Sequence, residues 1–250
     1  MKLVAFGDSF VEGTIKLPTE NSHTERQQIN FVRQLSNQSA LFDSIENFAV
    51  SGAGNKMIAN DVYNFLQHTE KSKLKDCFLL ICWTTPYRQD VYCNDLERYF
   101  PANKLSKHEN YDFLTAQLIT GTYKLCKLYD VKFLMTNSFA FVQRHNPVLN
   151  HQYIRQLSNY IHADKPNNTL FDIILERYCT DDNEYKVQDV EKLYTTNLTR
   201  IFRTIISQTP KDKLSKYVTP CYHPSEEGHQ LIAETLLPII KNYILSSKTA

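Results

Sequence analysis

The sequence LVAFGDS, residues 3–9, places a continuous apolar run directly before a glycine and two polar residues. An unbroken apolar run of this length is typical of a parallel strand that is covered on both faces of its sheet. Gly7 ends the predicted strand, and Asp8 and Ser9 fall where the chain turns into the next helix. Because α/β sheets bind ligands at the carboxyl ends of their strands, this turn is a candidate site.

Three further apolar runs, at residues 45–50, 77–83 and 131–135, are each followed by small or polar residues. Apolar residues between and after these runs recur at helical spacing, which predicts helices around Phe31, Ile58, Leu114, Val190 and Ile232. This alternation predicts an α/β fold with three layers, in which helices cover both faces of a mostly parallel, flavodoxin-like sheet.

Two of these helices carry specific expectations. One is predicted to bury a single face, formed by Leu114, Leu118, Gly121, Leu125 and Leu128. The last helix is predicted to begin at about Pro224, because proline suits the first turn, and to be kinked by Pro238. Its buried stripe is predicted to contain Ile232, Leu236, Ile239 and Tyr243.

Two stretches, residues 86–110 and 138–188, show no clear period. Both follow predicted strand ends, and loops of such length are usually functional or partly helical. The sequence contains no repeat, linker or low-complexity segment. We therefore predict one domain over residues 1–250, with elaborated loops at about 86–110 and 138–188.

Composition excludes several classes of function. The 250 residues include 28 Lys and Arg against 27 Asp and Glu, a net charge of +1, which argues against a nucleic-acid partner. The six cysteines form no CxxC motif and no zinc-type spacing with histidine, so we expect no metal and no cofactor, and reduced thiols. The Gly-x-Ser-x-Gly elbow of α/β-hydrolases and the glycine-rich nucleotide motifs are also absent.

The lengths of the apolar stretches indicate where in the cell the protein is expected. The apolar stretch at the start is shorter than a signal-peptide core, and the longest later run, residues 78–83, is too short to span a bilayer. We expect a protein that is cytoplasmic or associated with a particle, without signal peptide or membrane span. The sequence leaves its oligomeric state open.

Ser9 and His223 are the candidate nucleophile and general base. A turn from strand to helix exposes a side chain and points backbone N–H groups outward, which suits both a nucleophile and an oxyanion site. The alternative for Ser9 is a helix cap. His223 immediately precedes the last helix, and an imidazole titrates near neutral pH, as a base for serine requires. The alternative for His223 is a surface or capping role.

Together, GDSF at residues 7–10 and HPSEEGH at residues 223–229 resemble the first and last blocks of the SGNH/GDSL hydrolases. The resemblance implies the SGNH hydrolase fold and a serine esterase, with Ser9 as nucleophile and His223 as base. In NFAVSG, residues 47–52, it implies that the Gly52 N–H holds the oxyanion. In the third block Thr84 stands where the family has its oxyanion asparagine, and a hydroxyl donates one hydrogen bond.

A second departure concerns the acid that orients the histidine. The family commonly has Asp-x-x-His before the last helix, but the corresponding position here is Pro220. His223 must then be oriented by a backbone carbonyl or by an acid from elsewhere, such as Asp181 or Asp182. The resemblance therefore implies a Ser9–His223 dyad.

Four more residues are candidates for substrate binding, and each has a structural alternative. Asp8 supports the turn instead, Asn55 caps a helix, Trp83 packs in the core, and Arg88 pairs with Asp90. His229, on the last helix, is predicted to pack or to be solvated rather than to catalyse.

Three functions follow for testing. The first is a serine esterase acting on a small-molecule or carbohydrate ester, such as an O-acetylated sugar, as the resemblance implies. The second is a catalytically weakened binding or scaffold protein on the same fold, motivated by the missing asparagine and aspartate. The third is a phosphate or nucleotide binder that uses the loop at residues 7–9 and makes no demand on His223.

Overall fold

The computed structural model describes a defined set of residues. These are 1–13, 30–84, 88–93, 98–105, 110–138, 154, 156–161, 169–170, 173–174, 216–219 and 223–246. The helix predicted around Val190, most of the stretch 138–188, Asp181, Asp182 and Pro220 lie outside the described residues. The elements, in chain order, are β1 Lys2–Phe6, α1 Ser9–Glu12, α2 Phe31–Asn37, β2 Ser44–Asn47, α3 Asn55–His68, α4 Lys71–Leu74, β3 Cys77–Trp83, β4 Arg88–Cys93, β5 Arg98–Leu105, α5 Asn110–Leu128, β6 Lys132–Asn137 and α6 Glu226–Ser246.

Four parallel strands form the main sheet, in the order β2-β1-β3-β6. Each corresponds to one of the apolar runs in the sequence. In β1 the last four residues are buried, and in β3 all seven are, as expected for strands covered on both faces. The order is that of a flavodoxin-like sheet as far as these four strands extend.

Different helices cover the two faces of this sheet. On one face, Leu3 and Ala5 of β1 pack with α1, α2 and α6. On the other, Val4 and Phe6 pack with α3, α4 and α5. Alternate residues of a strand point to opposite faces, so the continuous apolar run of β1 supplies both cores. The structure is the three-layer α/β fold that the sequence predicts, and its organisation as one domain stays a prediction.

The stretch 86–110, predicted as a loop, contains an antiparallel hairpin. β4 pairs with β5, with Val91 opposite Phe100 and a register shift between Arg88 and Asp90. The hairpin packs on α3. The sequence shows no period here because the strands RQDVYC and RYFPANKL mix charged and apolar residues without a clean alternation.

The face predicted for α5 is partly wrong: Leu118 and Leu125 pack against the core while partly exposed, but other members of the predicted stripe turn outward. Gly121 is exposed, with open space where a Cβ would stand, and Leu128 is 78% exposed. The buried face is formed by Thr115, Ala116, Ile119, Thr122 and Cys126. Small residues let a helix lie close to its neighbours, so the leucines alone do not indicate which side of α5 faces the core.

The last helix begins at Glu226, two residues later than predicted. Pro224 instead forms a bridge with Val218, and the Ser225 hydroxyl caps the helix by accepting from the Gly228 N–H at 3.1 Å. Ile232 and Leu236 are buried as predicted. Ile239 is 38% exposed, and its neighbour Ile240 is buried in its place.

Candidate active site

The carboxyl ends of β1, β3 and β6 meet at Asp8. Its side chain is completely buried and belongs to the turn that follows β1. Its two oxygens accept hydrogen bonds from the Phe10 N–H at 3.1 Å, the Thr84 hydroxyl at 2.7 Å, the Ser138 hydroxyl at 2.9 Å and the Arg88 guanidinium at 3.0 Å. This edge includes the point between β1 and β3 where the strand order reverses, which is where parallel sheets of this kind bind ligands. Asp8 therefore joins the ends of three strands.

Ser9 is the first residue of α1 and is 2% exposed. The cap of this helix is Asp8, through its bond from Phe10, so the capping alternative for Ser9 is wrong. Neither the hydroxyl nor the N–H of Ser9 makes a hydrogen bond within the described residues. Both groups are therefore unpaired at the carboxyl end of β1, in a residue that is almost fully buried.

Thr219 holds the backbone of His223 through three hydrogen bonds. The His223 carbonyl accepts from the Thr219 N–H at 2.8 Å and from its hydroxyl at 3.1 Å, and the His223 N–H donates to the same hydroxyl at 3.3 Å. The imidazole contacts the ring of Phe10, with centroids 5.8 Å apart. The segments that carry Ser9 and His223 thus meet at Phe10, although no hydrogen bond joins Ser9 to His223 in the part of the chain that the structure describes.

The turn at residues 50–53 presents a backbone donor. The Ala53 N–H donates to the Val50 carbonyl at 3.0 Å, and Gly52 has a φ of 84°. This left-handed conformation favours glycine. Among the described residues, no acceptor faces the Gly52 N–H. Val50 also donates to the Gly7 carbonyl at 3.1 Å, which ties this turn to the one that carries Ser9.

The donors of Thr84 are already engaged. Its hydroxyl has a single hydrogen, which goes to Asp8, and its N–H donates to the Asn55 side chain at 2.9 Å. The Asn55 amide in turn donates to the Thr84 carbonyl at 3.1 Å. In this geometry neither the Thr84 hydroxyl nor its N–H has a hydrogen left to donate to an oxyanion. Asn55 is neither a cap nor exposed for substrate, because it holds the end of β3 to the start of α3.

Two of the other candidates take structural positions. Trp83 has no exposed surface and packs in the core, so its interpretation as a pocket residue is not supported by this geometry. Arg88 pairs with Asp8, whereas its predicted partner Asp90 accepts from the backbone of α3.

Sequence reasoning missed Ser138 and Asp90. Ser138 follows the end of β6 directly, so the strand-end rule that selects Asp8 also selects this serine. Asp90 accepts from the Gly54 N–H at 2.7 Å and the Met57 N–H at 2.8 Å, the otherwise unpaired donors at the start of α3. Burial raises the pKa of Asp90, and these two hydrogen bonds oppose the shift.

His229 packs, as predicted, and does so in complete burial. Its Nδ1 accepts from the Phe31 N–H at 3.2 Å, which places the start of α2 against α6. Burial, and secondarily the neighbouring His223, lower its pKa to about 3, so it stays neutral.

Asp61, on the second turn of α3, has a shifted pKa, in part because Asp90 lies nearby. Burial, and then the charge of Asp90, raise its pKa from 3.8 to about 6. We expect Asp61→Asn to stabilise the protein at pH 7 by about 1–2 kcal/mol, after discounting for the solvent that still reaches the side chain. The folded pKa is the higher one, so stability is lost as pH rises from about 4 to about 6.

Thermal unfolding of both proteins between pH 4 and pH 7 measures this effect. The Asp61→Asn variant should have the higher Tm at pH 7, and the gap should close towards pH 4, where the wild-type carboxyl is protonated in the folded state. Asp76→Asn, at an exposed carboxylate, serves as the control. A gap as large at pH 4 as at pH 7 contradicts the explanation.

Within the described residues, no group of three or more histidine, cysteine or acidic side chains is arranged to hold a metal ion. Nor does any helix of that part of the chain have the length and apolar character needed to cross a membrane.

Comparison with solved structures returns lipolytic proteins and esterases over nearly the whole chain. A member of the lipolytic G-D-S-L family from Veillonella parvula DSM 2008 is 13% identical, covers 96% of this chain and 98% of its own, and has a TM-score of 0.43. The psychrotrophic esterase EstA from Pseudoalteromonas sp. is 12% identical, with coverage of 97% and 98% and a TM-score of 0.43. The acetylxylan esterase Axe2 from Geobacillus stearothermophilus, in a catalytic mutant, is 16% identical, with coverage of 96% and 93% and a TM-score of 0.41. No protein-family model matches the chain, and no curated protein matches it. The α/β fold of this chain rests on its own parallel sheet and two helical layers.

Proposed function

We propose that the protein is a serine hydrolase that cleaves an ester with a Ser9–His223 dyad. The Ser9 oxygen attacks the ester carbonyl while His223 accepts its proton. The N–H groups of Ser9 and Gly52 hold the oxyanion of the tetrahedral intermediate. Collapse of the intermediate breaks the bond to the alcohol, which leaves with the proton from His223. Water, deprotonated by His223, then releases the acid and restores Ser9.

The observation that supports this proposal most is the contact between Phe10 and His223, at 5.8 Å between ring centroids. Their sequence separation exceeds two hundred residues, and the contact brings the two motif-bearing segments to one edge of the sheet. The unpaired N–H groups of Ser9 and Gly52 within the described residues add two donors at that edge. We do not include Thr84 in the proposed oxyanion site, because its hydroxyl donates its hydrogen to Asp8.

The substrate class follows from the resemblance of the two terminal motifs. An O-acetyl ester of a carbohydrate, or another small acyl ester, fits a nucleophile that is only 2% exposed. A small acyl group demands less room around the hydroxyl than a long chain does.

A fluorophosphonate probe tests the proposal, because it forms a covalent bond with an activated serine only. We expect mass spectrometry to find the adduct on Ser9 of the wild type. His223→Ala should lower the labelling rate by about 10²-fold or more, because the general base is removed. His68→Ala, at an exposed histidine, should label like the wild type.

The second candidate is a binding protein on the same fold. The burial of Ser9 and the engagement of Thr84 with Asp8 favour it. Folded wild-type protein that stays unlabelled supports this candidate and refutes the hydrolase. Labelling at Ser9 that does not depend on His223 also refutes the proposed dyad.

A further inference from the structure

The β4–β5 hairpin reaches both turns that carry the proposed chemistry. Arg88 of β4 donates to Asp8, the residue before Ser9, at 3.0 Å. Two residues later, Asp90 accepts from the Gly54 N–H, two residues after Gly52. One strand therefore contacts two turns at neighbouring positions: the nucleophile turn, residues 7–9, and the glycine turn, residues 50–54.

The contact through Asp90 is the tighter of the two. Asp90 is 8% exposed, and its two oxygens accept separately from Gly54 at 2.7 Å and Met57 at 2.8 Å. Because Gly54 provides no side chain to cap α3, Asp90 supplies the cap from another element. The position of α3 and of the turn before it thus depends on β4.

Gly54 shows how closely the hairpin approaches. A Cβ at this position would stand 2.7 Å from the Asp90 carboxylate and 2.8 Å from the Arg88 carbonyl. The φ of Gly54 is −96°, which any residue adopts, so the glycine is required by the approach of β4 and not by its own conformation. The backbone of β4 rests directly on the glycine turn.

We propose that β4 is a clamp that sets the distance between the nucleophile turn and the glycine turn, with Asp90 and Arg88 as its positioning residues. This inference rests on the proposed function, since it assigns the two turns to the nucleophile and the oxyanion donor. The Ser9 and Gly52 groups are unpaired within the described residues, so their relative position depends on what holds the two turns: the Val50–Gly7 hydrogen bond joins them directly, and β4 contacts both from one side. A small displacement between nucleophile and oxyanion donor costs rate without weakening substrate binding.

Asp90→Asn tests the clamp, because the amide keeps the shape but accepts at only one of its two polar atoms. We expect the maximal rate of Ser9 phosphonylation to fall about tenfold or more, with the probe concentration for half-maximal rate unchanged. Arg88→Met should act in the same direction, and Arg88→Lys should recover part of the rate. Asp76→Asn, at an exposed carboxylate, is the matched control and should label like the wild type.

Hydrogen exchange supplies a readout that does not depend on activity. Asp90→Asn should speed exchange at the Phe10 amide, which bonds to Asp8 and does not touch Asp90. Reciprocally, Arg88→Met should speed exchange at Gly54 and Met57. If Asp90→Asn does not fold, Gly54→Ala is used in its place. The added Cβ would push β4 away from the glycine turn, so the same changes in rate and exchange are expected.

The outcomes separate the two proposals. Wild-type labelling with unchanged rates in the β4 variants overturns the clamp and leaves the hydrolase intact. A wild type that does not label refutes the hydrolase, and exchange then decides the clamp alone. Exchange changes confined to the directly bonded amides overturn the coupling of the two turns, whereas reciprocal changes support it.

Discussion

Replacing Ser9 with alanine is expected to lower the hydrolysis of p-nitrophenyl acetate by at least about 10³-fold, because it removes the nucleophile of the proposed reaction. The Ser9 hydroxyl makes no hydrogen bond within the described residues, and the residue is almost fully buried. Alanine fits the same space and leaves no described polar group without a partner. Stability should therefore change little, and the loss should appear in kcat.

Ser72→Ala is the matched control, since it makes the same change at an exposed serine on α4. Initial rates with the chromogenic ester, together with thermal unfolding of all three proteins, provide the measurement. Turnover by the alanine variant at the wild-type rate contradicts Ser9 as nucleophile.

Replacing Asp8 with alanine is expected to destabilise the protein by about 3–5 kcal/mol, the range for breaking a buried ion pair from one side. The carboxylate is completely buried and accepts four hydrogen bonds from described residues. Its removal takes this acceptor from the Arg88 guanidinium and from two hydroxyls at the ends of three strands. Each buried hydroxyl left without an acceptor carries its own desolvation cost.

Urea denaturation measures this loss. Asp43→Ala is the control, because Asp43 pairs with the amino terminus but is 75% exposed, and solvent screens such a pair so that it adds little to stability. Asp8→Asn keeps the shape and part of the hydrogen bonding, so its loss should lie between the two. Equal losses for Asp8→Ala and Asp43→Ala contradict the assignment of Asp8 as the junction of the strand ends.

The strands and their layers were predictable because burial on both faces requires unbroken apolar runs. β3 occupies the predicted residues 77–83, and β1 begins one residue before the predicted run. The helical faces were less predictable. In α5 the buried side is decided by how closely small residues let the helix approach, which the spacing of leucines does not encode.

The candidate site also contains residues that the sequence predicts and residues that it does not. Ser9, His223 and Gly52 were selected from short local motifs, and their catalytic roles remain proposals. The partners of Asp8 and Asp90 were not selected, because they come from strand ends and a hairpin far apart in the chain. The sequence pattern does not predict which residues of such distant segments lie opposite one another.

By itself, the sequence determined the three-layer α/β fold and the turn at the end of β1, because apolar periodicity and turn residues are local properties of the chain. Only the tertiary structure decided that the Thr84 hydroxyl donates a hydrogen bond to Asp8, that Arg88 pairs with Asp8, and that Asp90 caps α3. A hydrogen-bond donor has no fixed partner in a sequence. Its partner is set by which strand ends the packed sheet brings within about 3 Å of one another.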